Sequence, residues 1–340
     1  MTAFLIVRLG ALGDIVHAIP VVAALLRAHP DARIDWLVDP RYVTLVQMVE
    51  GVRKVIPFDP RGLMAASERA ATLATIRDLR RERYDAVLDL QGLVKSASVA
   101  RLASGRRTIG FGRSALREPA ARVFYTDVVD VPGDVHVIRK NLALLAAVGI
   151  QATEPEFGIR VPESPHVSST IARFQGSGYV AMNPGAAWPN KRWPAERMGE
   201  LAFRTSRDHH LPTLVVWGPG EEALAESVVT ASGGAATLAP PTTIEELFGL
   251  LRGARLVVAG DTGPLHIAAS TGTPVVALFG PTDPARNGPW RLEDVSVSRY
   301  GVCDCHYERR CRRSVPCVMD IGVDEVMAAV SARLSAGGMR

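Results

Sequence analysis

Short apolar runs alternate with longer amphipathic stretches along this chain. Phe4-Leu5-Ile6-Val7 is apolar throughout, and Val16, Ile19, Val22, Ala23 and Leu26 then recur at helical spacing up to His29-Pro30. This predicts a strand, a glycine turn at Gly10–Asp14 and a helix. Strands are predicted next at Ile34–Val38 and Val52–Phe58, a charged helix over Ala65–Arg83, and a strand at Ala86–Leu90. Helices follow over Leu93–Leu102 and His136–Val148. Gly149, Pro155, Pro162 and Pro165 then punctuate a polar stretch that reads as a linker.

The alternation restarts beyond it. Strands are predicted at Tyr179–Met182, Thr213–Trp217, Leu256–Ala259 and Val275–Phe279. Helices are predicted over Pro194–Ser206, Glu221–Ala231, Ile244–Leu251, Gly263–Thr271 and Val323–Leu334. Strands alternating with helices imply βαβ units and parallel sheets. The expected architecture is α/β, with two doubly wound domains, 1–160 and 161–340, and a last helix that returns to the first domain. Ligands of such sheets bind beyond the carboxyl ends of the strands, and the cleft between the domains is the expected site.

Composition narrows the class. The 340 residues are 47% hydrophobic and 22% charged, an ordinary globular balance. No apolar run approaches the roughly 20 residues of a membrane span. Ala18–Leu26 is short and follows a strand and turn, unlike a signal peptide. A cytoplasmic protein is expected. Residues 1–150 hold 21 Lys/Arg against 15 Asp/Glu, whereas the rest holds 18 against 20. The basic half suggests an anionic partner, with a solvated surface as the alternative. No Lys/Arg block with interleaved aromatics points to nucleic acid.

Candidate chemistry sits at strand-to-helix turns. Gly10-x-x-Gly13-Asp14 lets the backbone approach a ligand, and Asp14 at the helix start either caps the helix or accepts a proton from a hydroxyl. Only two glycines stand where a dinucleotide fingerprint needs three, although Asp35 and Asp39 fall near the ribose-binding distance. Asp261-Thr262-Gly263-Pro264-Leu265-His266 follows a strand and opens a helix, which suits a diphosphate at free N–H groups. Lys191, beyond Asn183-Pro184-Gly185, is one of four lysines and can meet phosphate as a point charge. Gln91–Ser96, with Lys95, and the loop from Arg113 to Arg117-Glu118-Pro119 offer cations to an anionic ligand. Glu221 and Glu222 can take ribose hydroxyls or complement a helix dipole. Cys303, Cys305, Cys311 and Cys317 lack the usual paired spacing of a zinc site, and four arginines stand among them, so a metal there is the lesser expectation.

Taken in order, Gly10–Asp14, Gln91–Ala97, Arg117-Glu118-Pro119, Lys191-Arg192-Trp193-Pro194, Asp261–His266 and Gly280-Pro281-Thr282-Asp283-Pro284 resemble glycosyltransferase family 9, the bacterial ADP-heptose:lipopolysaccharide heptosyltransferases. The resemblance covers nearly the whole chain, and Gln91–Ser96 and Arg117–Pro119 are nearer the heptosyltransferase I pattern. It implies a GT-B fold of two Rossmann-like domains. It also implies inverting transfer from ADP-L-glycero-β-D-manno-heptose to the Kdo region of lipid A, with no cofactor or catalytic metal. Asp14 would then be the general base. Lys191, Asp261, Thr262, Gly263 and His266 would hold the diphosphate, and Glu221 or Glu222 the ribose. Ala186 and Ala187 stand where the heptosyltransferase I pattern has two threonines near the phosphates, which leaves backbone N–H groups to serve. Gly13, Lys95, Arg113 and Arg117 would face the acceptor. The implied partners are a nucleotide sugar, a lipid-linked anionic glycan and the inner-leaflet surface. A family 9 transferase with another donor or acceptor, and a nucleotide- or NAD-binding protein without transfer, are the alternatives.

Overall fold

The computed structural model describes residues 2–63, 65, 67–174 and 176–337. The chain divides between Arg160 and Val161 into two compact units. In the first unit the order is β1 (Ala3–Val7), α1 (Leu12–Val16), α2 (Ile19–Ala28), β2 (Arg33–Val38), α3 (Val43–Gln47), β3 (Val52–Pro57), α4 (Arg69–Arg81), β4 (Ala86–Asp89), α5 (Val94–Leu102), β5 (Arg107–Phe111), β6 (Asp127–Val129) and α6 (Val137–Ala143). The second unit has α7 (Pro165–Ala172), β7 (Val180–Asn183), α8 (Ala195–His209), β8 (Thr213–Val215), α9 (Glu222–Ala231), β9 (Ala236–Leu238), α10 (Ile244–Gly253), β10 (Leu256–Gly260), α11 (Gly263–Ser270), β11 (Val275–Phe279), α12 (Pro284–Asn287), β12 (Val295–Ser298) and α13 (Val323–Gly337).

Each unit is built on a six-stranded sheet, β3-β2-β1-β4-β5-β6 and β12-β11-β10-β7-β8-β9, and the paired strands are parallel. Counted from its own first strand, the second sheet has the same order as the first. Both therefore reverse winding direction once, between β1 and β4 and between β7 and β10. Strands β1, β4, β10 and β11 are buried at every position, which is why they read as short apolar runs, broken in β4 only by the terminal Asp89.

Helix α8 shows how the layers close. Met198, Leu201, Ala202 and Thr205 recur at helical spacing and are buried, while its other face carries Glu196, Glu200 and Arg207. Helix α10 starts with a reciprocal capping box: the Glu246 amide donates to Thr243 Oγ1 at 3.2 Å, and the Thr243 amide donates to Glu246 Oε2 at 3.0 Å.

Several elements lie outside the apolar pattern. β6, β9 and β12 are sheet edges of three or four residues, mostly half-exposed, and β5 begins with Arg107 and contains Gly110. Helix α7 starts at Pro165, at the end of the expected linker, with Ser164 accepting from the Val167 amide. The helix expected from Ala65 begins at Arg69; Ala66 lies outside the described residues, as do residues 338–340 of the second expected domain. α13 packs on α8, β10, β11 and β12 of its own unit. Its Val326 and Val330 join that unit's core, and Trp193 Nε1 donates to Ile321 O at 3.0 Å just before it. Among the described residues, no helix is long and apolar enough to cross a membrane.

Helix α13 is also held by charge. Arg333 Nε lies 2.7 Å from Asp294 Oδ1, with both side chains buried. Burial pushes the Asp294 carboxyl up, against the opposing pull of Arg333 and of the Val275 amide. Removing the cation leaves a buried carboxylate, so Arg333→Met is expected to cost about 3–5 kcal/mol at pH 7. A carboxyl whose folded pKa is raised is penalised only where it is ionised. Urea unfolding across pH should therefore show the deficit shrinking as pH falls towards about 3.9, where the unfolded carboxylate also protonates.

Candidate functional site

Both switch points carry the residues singled out in the sequence. In the second unit the loop after β7 (residues 184–194) and the start of α11 after β10 come together. Lys191 Nζ donates to Asp261 Oδ2 at 2.5 Å and to Asp261 O at 3.3 Å, and it sits 4.7 Å from the centre of the Trp188 ring. His266 Nε2 lies 3.2 Å from the other carboxylate oxygen, Asp261 Oδ1. Asp261 is 7% exposed. Its burial is the largest single influence and would raise its pKa, but the His266 hydrogen bond and the Lys191 charge together outweigh it. The carboxyl is held well below the usual carboxylate range.

Thr262 is the N-cap of α11, yet its side chain makes no capping bond. Its hydroxyl instead donates to Gly260 O at 3.2 Å and reaches Asn183 Oδ1 at 3.4 Å. Pro264, inside the first turn, has no N–H to satisfy. The early amides of α11 thus keep their dipole end open to an anion. Gly260 sits where a Cβ would fall 3.0 Å from Lys191 O, so the two loops touch through backbone.

The rest of the loop after β7 is shaped by Gly185 and Arg192. A Cβ on Gly185 would fall 1.9 Å from Glu221 Oε2, so a side chain there would push the Glu221 carboxylate away from the loop. Glu221 Oε2 accepts the Gly218 amide at 3.2 Å, which fixes its half-buried carboxylate against the loop. Glu222 is exposed on the first turn of α9. Arg192 Nε donates to Ala186 O at 2.8 Å; Ala186 is buried and Ala187 exposed.

In the first unit the loops after β1 and β4 meet. Asp14 Oδ2 accepts the Ala11 amide at 3.2 Å, and Asp14 Oδ1 pairs with Arg8 Nη2 at 2.7 Å. The Asp14 side chain remains 45% exposed, whereas that of Arg8 is 8% exposed. Arg8 Nη1 donates to Leu90 O, and Gln91 Oε1 accepts the Leu9 amide at 2.9 Å. Asp14 therefore caps the turn and also presents a carboxylate edge to solvent. Gly13 lies beside it within α1.

Beneath the loop after β4, the fully buried Asp89 accepts from the Gln91 and Gly92 amides, Ser96 Oγ and Tyr125 OH. Glu118 Oε2 accepts the Val94 amide at 2.8 Å, which ties the loop of Arg113 and Arg117 to the start of α5, where Lys95 sits. Lys95, Arg113 and Arg117 are all exposed. Arg8 and Asp89 escaped the sequence reading as site residues, and Asn183 entered it only as the start of the loop that leads to Lys191. Their one available signal was a polar side chain closing an apolar strand.

The four cysteines are close together in a loop of the second unit. Cys303, Cys305 and Cys317 are buried and Cys311 is half-buried, all as free thiols.

Comparison with known proteins follows the same outline. The model of glycosyltransferase family 9 (heptosyltransferase) matches residues 72–314. Lipopolysaccharide heptosyltransferase 1 of Escherichia coli K12 is 30% identical over 291 residues, covering 84% of this chain and 89% of its own. The protein of the same name from Pseudomonas aeruginosa is 28% identical over 312 residues, covering 90% and 86%. The structure of E. coli heptosyltransferase WaaC with ADP superposes with a TM-score of 0.77 at 24% identity, covering all of both chains. At that identity it is the GT-B fold that is shared.

The Asp261 pairings carry a measurable consequence. Asp261→Asn is expected to cost about 3 kcal/mol at pH 7, the penalty for leaving Lys191 without its buried partner. A carboxyl with a depressed folded pKa contributes fully above its unfolded pKa and loses that contribution progressively as pH falls from there through the folded pKa. The gap between wild type and variant in denaturant unfolding should therefore close as pH drops below about 4.

Proposed function

Since the chain belongs to glycosyltransferase family 9, the heptosyltransferase family, we propose that it moves heptose from ADP-L-glycero-β-D-manno-heptose to the Kdo region of lipid A. Transfer proceeds with inversion and without a metal at the reacting centre, as a step in lipopolysaccharide inner-core synthesis. The acceptor is a lipid-linked anionic glycan, so the enzyme works in the cytoplasm at the inner-leaflet surface.

The observation that carries the donor half is the Lys191–Asp261–His266 cluster at the start of α11. An ammonium has three donors. Asp261 engages two of those on Lys191, and the third is left for a phosphate oxygen. Lys191 and the open amides of α11 then stabilise the charge that grows on the leaving diphosphate. Thr262 and Gly263 border the same anion, and the Ala186 and Ala187 backbone stands in for absent hydroxyl donors. Glu221, fixed against Gly185, takes the ribose in preference to Glu222, which turns to solvent on α9.

The acceptor half rests on the first unit. Asp14 takes the proton of the attacking hydroxyl, and Arg8 orients its carboxylate by holding one oxygen. Lys95, Arg113 and Arg117, with the Gly13 backbone, receive the anionic glycan. The heptosyltransferase WaaC has been crystallised with ADP-2-deoxy-2-fluoro heptose, which supports a nucleotide heptose as donor.

Two measurements test this reading. In thermal unfolding against ADP, UDP, GDP and NADH, ADP is expected to stabilise. A ligand at 100 times its Kd contributes about 2.7 kcal/mol. A response to UDP or GDP alone would replace the donor, and a response to NADH alone would remove the transferase reading. Asp14→Asn is expected to keep the ADP response and to lose about 10²–10⁴-fold in turnover of ADP-heptose and Kdo2-lipid A. Turnover at the wild-type rate would take the base role from Asp14.

A further inference from the structure

The ion pair at the start of α11 leaves little net charge for an anion. Lys191 Nζ lies 2.5 Å from Asp261 Oδ2, so the ammonium is largely neutralised by a buried carboxylate. Arg192, the next residue, turns its Nε to Ala186 O. Ala186 and Ala187 offer the loop no side-chain donor. A diphosphate that gains negative charge as it leaves calls for a further cation.

The loop between β12 and α13 brings one. Two contacts fix it beside the strand ends. The Tyr307 amide donates to Pro281 O at 2.9 Å, after β11, and Asn190 Nδ2 donates to Glu308 O at 2.9 Å, after β7. Asn190 immediately precedes Lys191, and Glu308 immediately precedes Arg309. The Arg309 guanidinium carbon lies 6.0 Å from the centre of the Trp188 ring, the same ring that Lys191 Nζ approaches at 4.7 Å. Two nearby arginines are already neutralised, since Arg312 pairs with Glu308 and Arg313 with Asp320. Arg309 is exposed and makes no ion pair among the described residues. A cation–π contact at an exposed site is weak. The guanidinium is therefore kept near the ring and is free to turn to a stronger partner.

We propose, on the reading that Lys191 and the start of α11 hold the donor diphosphate, that Arg309 is a second cation for that diphosphate and binds its β-phosphate. A guanidinium presents a fork of N–H donors to two phosphate oxygens at once, whereas Lys191 meets the same group as a point charge. As the bond between the anomeric carbon and the β-phosphate oxygen breaks, its electron pair passes to that oxygen. Lys191 and Arg309 share the charge that develops there. Trp188 holds both cations at one place before the anion arrives, so less ordering remains to offset binding.

The test compares wild type with Arg309→Gln, Arg309→Lys and Arg310→Gln, measuring ADP and AMP affinity by calorimetry and turnover of ADP-heptose. Both positions are exposed, so each variant should keep the unliganded Tm of wild type. Arg309→Gln is expected to bind ADP about 10–100-fold more weakly, the usual worth of a hydrogen bond to a charged group. Its affinity for AMP, which lacks the β-phosphate, should change far less, and its kcat should fall. Arg309→Lys should recover part of both losses, and Arg310→Gln should behave as wild type. Wild-type ADP affinity and kcat in Arg309→Gln would overturn the assignment. So would equal losses for ADP and AMP, or equal losses in Arg309→Gln and Arg310→Gln. The donor reading fails separately. If wild type binds UDP or GDP in place of ADP, the same comparison of diphosphate with monophosphate still tests Arg309, which meets phosphate and not base. A wild type that binds none of the three diphosphates would overturn both.

Discussion

A parallel sheet whose winding reverses once must part its connecting loops at the reversal, and everything functional in this chain depends on that constraint. Between β1 and β4, and between β7 and β10, successive crossovers leave in opposite directions. The Arg8–Asp14 and Gln91–Leu93 segments occupy one such gap. Asn183–Lys191 and Asp261–Gly263 occupy the other. The same strand order recurs in both units, and in each the charged groups sit in loops that follow the strands at the reversal.

Charges at such a gap are partly withdrawn from water and need partners. In the second unit a single carboxylate meets this need for two loops, because Asp261 receives Lys191 from one side and His266 from its own helix. A lysine so held has lost much of its rotamer freedom before any ligand arrives, so less ordering is left to offset binding. In the first unit the order is inverted. The buried group is the cation, Arg8, and the carboxylate it holds is exposed. A buried guanidinium anchored on Leu90 O leaves Asp14 directed outward, and the capping of Ala11 N by the same carboxylate fixes its second oxygen. Cap and base are thus compatible roles for one side chain, since each carboxylate oxygen has a further lone pair to offer.

Glycine at 185 and 260 extends the same principle to the backbone. Neither position needs a left-handed conformation; at each a Cβ would meet a neighbour, the movable Glu221 carboxylate at 185 and the backbone Lys191 O at 260. Fixing Glu221 in this way separates it from Glu222, its sequence neighbour. The two carboxylates are equivalent in sequence and distinct in space, with one held against a loop and the other in solvent.

The sequence by itself determined the two doubly wound domains, because buried parallel strands are largely apolar and the helices between them carry a periodic apolar face. It also determined the family, through short motifs at strand ends whose order a fold of this type fixes. It was silent on β6, β9 and β12, whose brief edges bury too little to leave a pattern, and it did not reveal the contacts of α13 with Asp294 and the β10–β12 face, which lie far away along the chain. Tertiary structure alone decided that Asp261 unites Lys191 and His266, that Arg8 lies behind Asp14, and that four unevenly spaced cysteines pack into one cluster. Each of these is a contact between residues whose spacing carries no period, so only the folded path of the backbone brings them together.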